Sequence, residues 1–186
     1  METFKWQPLF ECITSKHIEQ AYSRLKKILL DNNCKINAEE SPNYIRVTQG
    51  SIMGIQPKSA KKIISFYLSN DNSGTKIESS SKIATDWKNL TLYGSVLAAV
   101  LIGIFMWIAI DMNKYIETDK TSFWAWLAQI YGTHDSWGAL LMIRVTQALS
   151  IFLALTIVFE ILIVIYVYQR KNAFSRQVLE KMNDWK

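Results

Sequence analysis

The apolar positions of this chain are concentrated in its second half, in two long and nearly uninterrupted runs. The first covers residues 90–111 and the second covers residues 141–168. A helix needs about 20 mostly apolar residues to cross the hydrocarbon core of a bilayer, which is roughly 30 Å thick. We therefore predict that both runs are transmembrane helices and that residues 89–169 form a transmembrane hairpin.

In residues 1–88 the apolar side chains alternate with polar ones at the short spacings that are typical of a globular domain. Within residues 16–30 the apolar side chains recur every three or four positions, as in a helix that buries one face, and Ser15 is its expected cap. Short strand-type runs divided by turn residues make up the rest. These runs are residues 6–13, 35–39, 44–49, 61–69 and 75–81. The pattern predicts an α+β domain of order β-α-β-β-β-β, with one helix on an antiparallel sheet.

The order of these elements resembles, in topology alone, the helix-over-antiparallel-sheet folds of the TATA-binding-protein type. No sequence motif accompanies the resemblance, and a shared topology does not imply nucleic-acid binding. The full chain carries a net charge of +5, and acids are interleaved with its bases. A nucleic-acid surface would need a concentrated basic patch. We therefore expect no nucleic-acid partner.

Basic residues flank the outer ends of the hairpin. Lysines precede the first run and bases follow the second, while the connector at residues 112–138 contains more acids than bases. By the positive-inside rule, both termini are cytoplasmic. We therefore expect a multi-pass protein of the cell membrane, with a cytoplasmic domain at residues 1–88 and a cytoplasmic amphipathic tail at residues 170–186. The tail is expected to continue the second span or to lie on the inner leaflet.

The connector is rich in aromatic residues and too short to span a bilayer. We predict that it forms an amphipathic helix in the outer interface, where Trp and Tyr are favoured. Lysines close to an anionic leaflet and interfacial tryptophans are both expected to contact lipid headgroups. The predicted headgroup contacts are Lys58, Lys61, Lys62, Trp87, Lys88, Trp124 and Trp126.

Small and polar residues predict a contact between the two apolar helices. Ser95, Ala99 and Gly103 recur every fourth residue of the first run, a spacing that lets helix backbones approach closely. The second run contains Thr156 and Glu160 on one polar stripe, which could bring Glu160 to Ser95 or to Tyr93. An ionisable residue inside a membrane is either a polar contact between helices or part of an ion or proton pathway.

Nothing in the sequence has the spacing of a catalytic or metal-binding constellation. Cys12 and Cys34 predict reduced thiols, and His17 and His134 fall on opposite sides of the predicted membrane. We therefore expect no enzyme activity, no cofactor and no metal. The expected function is interaction with the lipid bilayer and with protein chains, as a homo-oligomer or as an accessory or scaffold subunit. The alternative is a small oligomeric channel or proton-coupled transporter that uses Glu160.

Overall fold

The computed structural model of the chain describes residues 10–118, 123–124 and 136–185. Two compact units make up the chain. The first contains residues 1–90 and 163–186 and is called the sheet domain here; the second contains residues 91–162 and is called the helical hairpin. The sheet domain is therefore built from two separate stretches of sequence, with the hairpin inserted between them.

Within the described residues, five antiparallel strands form the sheet, as the strand-type runs predict. Their bounds are β1 Phe10–Thr14, β2 Lys35–Glu40, β3 Tyr44–Gln49, β4 Lys62–Asp71 and β5 Gly74–Ile83. The spatial order is β1-β5-β4-β3-β2. The connection between β1 and β2 therefore runs from one edge of the sheet to the other, and it contains helix α1 (Ile18–Asp31). The α+β class is confirmed.

The turn between β4 and β5 is a tight hairpin. Asp71 pairs with Gly74 at its base, so only two residues form the loop. Gly74 has a φ of +139°, and a Cβ added there would lie 2.1 Å from the backbone oxygen of Thr14. Only glycine fits such a position, because it has no Cβ and tolerates positive φ. The predicted division of the strand-type runs 61–69 and 75–81 by turn residues is confirmed.

Two helices, rather than the one predicted, cover the same face of the sheet. They are α1 and the helix that follows the hairpin, Ala173–Asn183, called α4 here. The core that they share with the sheet consists mainly of Leu25, Leu29, Ile45, Val47, Ile64, Phe66, Ile77, Val178 and Met182. The expectation that the tail continues the second span or lies on the inner leaflet is corrected, because a turn at residues 171–172 separates α4 from the second long helix and the apolar stripe of α4 packs on the sheet beside α1.

Helix α1 also differs from the prediction at its start. It begins at Ile18, its N-cap residue is His17, and no side chain caps it. Ser15 is therefore not the cap. Its apolar stripe is as predicted: Ala21, Tyr22, Leu25, Ile28 and Leu29 are all buried.

Two long apolar helices follow β5. Helix α2 is Thr85–Thr118, and helix α3 is Ser136–Arg170. With 34 and 35 residues, they are each about 50 Å long. Within the most apolar stretch of 18 residues, only 17% of the residues are buried in α2 and only 6% in α3. A core helix of a soluble protein is mostly buried, whereas these two are long and apolar enough to cross a membrane.

Helices α2 and α3 both extend into the predicted connector at residues 112–138. The remainder of that connector, apart from Phe123 and Trp124, lies outside the described residues. The same is true of His134 and of the start of the first predicted strand.

Candidate functional site

Among the less exposed positions of α2 and α3 within the helical hairpin, seven in each helix form a regular seam. They recur in alternating steps of three and four residues, the 3.5-residue repeat of supercoiled helices. In α2 these positions are Thr91, Ser95, Ala98, Ile102, Phe105, Ala109 and Met112. In α3 they are Ala139, Ile143, Thr146, Ser150, Leu153, Ile157 and Glu160. Side-chain contacts at both ends of the seam, from Ser95 to Glu160 and between Met112 and Ala139, show that the two helices run antiparallel.

The polar groups along the α3 part of the seam are hydrogen-bonded. The Thr146 hydroxyl donates to the Met142 carbonyl oxygen at 2.8 Å, and the Ser150 hydroxyl donates to the Thr146 carbonyl oxygen at 2.8 Å. Both residues are buried. Because these bonds lie within one helix, the hydroxyls need no partner from α2 and cost little to bury.

Glu160 is the exception, since its partner comes from the other helix. The Ser95 hydroxyl donates to Glu160 Oε2 at 2.7 Å. Gly94 lies alongside: a Cβ added there would be 3.6 Å from Glu160 Oε1. The carboxylate is half-buried, whereas Tyr93, the other neighbour considered from the sequence, is exposed. This hydrogen bond joins α2 to α3 at the polar end of the seam.

Three of the predicted helix-packing residues lie off this seam. Ala99, Gly103 and Thr156 are all exposed. A Cβ added to Gly103 would meet no atom within 4 Å, and the Thr156 hydroxyl donates to the Phe152 carbonyl oxygen of its own helix at 2.9 Å. The contact between the two helices at this end therefore involves Ser95 and Glu160 rather than the Ala99–Gly103 positions.

Aromatic side chains cluster near the end of α2 that precedes the connector. The Trp107 ring stacks on Phe123 at 5.4 Å and meets Trp124 edge-on at 5.3 Å. The backbone N–H of Trp124 donates to the Asp111 carboxylate at 3.1 Å. Trp124, a predicted headgroup contact, is thus half-buried among aromatic rings, while Trp126 lies outside the described residues.

Two of the predicted headgroup contacts are buried in the sheet domain, and these expectations are corrected. Lys62 is only 1% exposed, and its ammonium group donates to the Pro57 carbonyl oxygen at 2.6 Å. Trp87 is also buried, and its indole N–H donates to the Gly54 carbonyl oxygen at 2.8 Å. Both side chains fasten the loop between β3 and β4 to the body of the domain.

The other predicted basic contacts remain at the surface. Lys58 and Lys88 are exposed, and Lys61 forms an ion pair with Asp86. The Lys61 ammonium beside Asp86 lowers the pKa of that carboxyl. The Lys88 ammonium lies 5.7 Å from the centre of the Tyr168 ring. These positions lie beside the first turns of α2 and the last turn of α3.

The loop at residues 50–60 presents a feature that the sequence interpretation missed. Its backbone folds back on itself, with the Ser51 N–H donating to the Ser59 carbonyl oxygen at 2.7 Å. At its tip, Met53 is 75% exposed and Ile55 is 62% exposed. We call residues 50–60 the apolar lobe. The sequence contains a signal for this feature, because Ile52, Met53 and Ile55 are large apolar residues in a segment whose glycines, Gly50 and Gly54, favour a loop.

Among residues 10–118, 123–124 and 136–185, no group of three His, Cys, Asp or Glu side chains could hold a metal ion. The chain matches no protein-family model, no curated protein and no solved structure. Function is therefore inferred from the side chains themselves.

Proposed function

We propose that this protein is a two-pass integral protein of the cell membrane that acts through interaction with other protein chains, as a homo-oligomer or as an accessory subunit. The observation that carries the proposal is the outward apolar surface of α2 and α3. Ile151, Phe152 and Leu155, for example, all point away from the seam and are exposed. In water, such an exposed apolar surface would cause the protein to aggregate. In a bilayer, lipid chains cover it without an energetic penalty.

The connectivity of the sheet domain supports a hairpin rather than a single crossing. The residues before α2 and those after α3 belong to the same compact unit. Two helices that leave one domain and return to it must cross a bilayer an even number of times. The bases Lys82, Lys88, Arg170 and Lys171 beside the two helix ends support a cytoplasmic location for this domain.

The apolar lobe supports close contact between the sheet domain and the leaflet. Gly54 in the lobe is bonded to Trp87, which lies in the first turn of α2. Met53 and Ile55 are therefore held near the point where the chain leaves the sheet domain for the first span. Exposed apolar side chains beside a cation such as Lys58 are typical of loops that enter the headgroup region.

The exposed small residues of α2 support a further helix contact. Ala99 and Gly103 lie one turn apart, and their side of α2 is not part of the seam. A second helix can approach most closely where side chains are small. The Ala99–Gly103 face therefore favours association with another chain in the bilayer.

Membrane integration can be tested directly. Membranes that contain the full chain are washed with alkaline carbonate, and the protein is then assayed in the pellet and in the supernatant. We expect it to stay with the membranes until detergent is added. Recovery of monodisperse protein from the supernatant without detergent would refute the proposal.

Association can be tested by mass in mild detergent, supplemented by crosslinking in native membranes. We expect a particle larger than one chain, and we expect Gly103→Leu to reduce its mass or its crosslinks because the added side chain separates the helices. Ala154→Leu, at an exposed position of α3, is the matched control. A monomer that forms no crosslinks, or equal effects of both substitutions, would contradict association through this face.

The alternative proposal is an oligomeric channel or proton-coupled transporter around Glu160. The half-buried carboxylate motivates it, but its hydrogen bond to Ser95 favours a structural role. Reconstituted vesicles separate the two proposals. A flux that is present in the native protein and lost in Glu160→Gln would support transport, and no flux in either protein would exclude it.

A further inference from the structure

We propose that a basic cavity in the sheet domain binds an anion that carries a phosphate group, either the headgroup of a phosphomonoester lipid or a soluble phosphate ester. The cavity has a volume of about 400 Å³, within the usual range of small-ligand sites. It lies on the sheet face opposite α1 and α4. Only the lipid alternative of this inference depends on the membrane location proposed above. The soluble alternative does not.

The floor of the cavity is a cross-strand row of polar residues. Arg46 on β3 pairs with Ser65 on β4, which in turn pairs with Ser80 on β5. The next residues on β4, Ile64 and Phe66, face the core. Because side chains alternate along a strand, Ser65 and its two partners point to the other face. The Arg46 Nε–H donates to the Ser65 hydroxyl at 3.4 Å, and the guanidinium carbon lies 5.6 Å from the centre of the Tyr44 ring.

The rim of the cavity is formed by the segments that join the sheet to the long helices. Lys88 comes from the first turns of α2, Tyr168 comes from the end of α3, and Lys171 comes from the turn that follows α3. The Lys88 ammonium lies 5.7 Å from the centre of the Tyr168 ring. A ligand in this cavity would therefore lie at the depth of the inner headgroups if the two helices cross the bilayer.

The charged side chains that line the cavity are all basic. Arg46, Lys82, Lys88 and Lys171 all line it, and none of the described lining residues is acidic. Cations held around one cavity repel each other, and a bound anion relieves that repulsion. Serine hydroxyls and a tyrosine complete a set of donors suited to phosphate oxygens, and arginine matches phosphate in a bidentate geometry.

The number of bases favours an anion with more than one negative charge. A phosphomonoester carries a charge of about −1.5 to −2 near neutral pH, whereas a carboxylate or a phosphodiester carries only one. Each nearby base adds attraction for an anionic group. We therefore expect a phosphomonoester to bind more tightly than a phosphodiester of the same size.

The experiment uses the full chain, purified in detergent, with two kinds of probe. In the first arm the protein is placed in phosphatidylcholine nanodiscs that contain either phosphatidate or phosphatidylglycerol, and retained lipid is counted by native mass spectrometry. In the second arm glycerol phosphate is titrated into the protein in detergent without lipid. Retention of phosphatidate supports the lipid source, and saturable binding of glycerol phosphate supports the soluble source.

Three variants assign the binding to this cavity. The triple variant R46Q/K88Q/K171Q removes three bases from it, and we expect its affinity to fall by at least about tenfold. The matched control K27Q/K35Q/K181Q removes three exposed bases that do not line the cavity, and its affinity is expected to stay unchanged. Ser80→Leu fills the floor without changing any charge and is expected to weaken binding as well. Thermal melting verifies that each variant is folded.

Equal losses in the two triple variants, or a folded Ser80→Leu variant with native affinity, would overturn the proposal, because either result indicates diffuse attraction to a basic surface. Absence of binding in both arms would also overturn it. The carbonate wash is an independent readout. A protein that stays in the membrane but binds neither probe refutes the phosphate site alone.

Discussion

Lys62 is a lysine whose ammonium group lies inside the sheet domain. Burial lowers its pKa from the ordinary value to about 8, and the Pro57 carbonyl oxygen accepts its hydrogen bond. The strand period contained a sign of this position, because Lys62 has the same parity along β4 as Ile64 and Phe66, which face the core. A lysine is usually expected at the surface, but the alternation of side chains along β4 places Lys62 on the buried face of the sheet.

This burial predicts a pH dependence of stability. In the unfolded chain Lys62 keeps its proton up to a pKa of about 10.4, so between about pH 8 and pH 10.4 the unfolded state binds more protons than the folded state. The contribution of Lys62 to the free energy of unfolding therefore rises with pH in this window. Lys62→Met should flatten the rise in thermal midpoint measured in detergent.

Lys27→Met is the control for Lys62→Met, since Lys27 is exposed. Its pH profile should match that of the native protein. Parallel profiles for native protein and Lys62→Met would contradict a buried ammonium at this position.

The hydrogen bond between Ser95 and Glu160 predicts a measurable coupling. Interhelical hydrogen bonds in membrane proteins contribute about 0.6 kcal/mol on average and up to about 1.7 kcal/mol. Ser95→Ala should therefore lower the free energy of unfolding by roughly this amount in an SDS titration from mild detergent. Thr156→Val is the control, because the Thr156 hydroxyl is exposed and bonded to its own helix. Equal effects of the two substitutions would argue against the Ser95–Glu160 bond.

At the scale of elements, local periodicity predicted most of the fold. The stripe of α1, the alternation of β4 and the turn before Gly74 each depend on neighbours in sequence, and the structure has all three. The role of α4 could not be predicted in this way. Its amphipathic pattern indicates an apolar face, but lipid and sheet are equally suitable partners for such a face, and the choice depends on contacts distant in sequence.

The packing of α4 predicts that its apolar residues stabilise the sheet domain. Met182 is fully buried in the shared core. Met182→Ala should lower the free energy of unfolding by about 2–5 kcal/mol, the usual cost of such a truncation. Gln177→Ala, at an exposed position of the same helix, should change it little. The measurement is thermal or denaturant unfolding followed by circular dichroism, and equal stability of the two variants would contradict the packing of α4.

Substitution by alanine is expected to have different effects at two glycines, Gly54 in the apolar lobe and Gly103 in α2. A Cβ at Gly54 would lie 1.9 Å from the Ser59 carbonyl oxygen, whereas a Cβ at Gly103 would meet nothing within 4 Å. Gly54→Ala should therefore destabilise the sheet domain by distorting the lobe. Within a single chain, Gly103→Ala should be neutral or stabilise α2 by up to about 1 kcal/mol, the propensity difference in a helix interior, and any loss of association through the Ala99–Gly103 face would appear in the mass of the particle instead. Thermal melting of both variants measures this contrast, and an unchanged melting midpoint for Gly54→Ala would contradict it.

At the scale of the whole molecule, the candidate sites differ in how far the sequence could predict them. Glu160 was found because a carboxylate in an apolar run is conspicuous. The basic cavity was not found, because Arg46, Lys82, Lys88 and Lys171 come from four segments that only the sheet order and the two helix ends bring together. The predicted helix-packing residues Ala99 and Gly103 each lie one position away from the seam. Small residues alone do not define which side of α2 meets α3.

The position of α4 after both long helices has a consequence for biogenesis. The ribosome releases all five strands before α2, and it releases α4 only after α3 has been made. Until then, the groove that receives Val178 and Met182 stays open. In the proposed membrane arrangement, completion of the sheet domain thus waits for insertion of the hairpin. A chain stalled before its last helix is made would present this open apolar groove to chaperones and proteases.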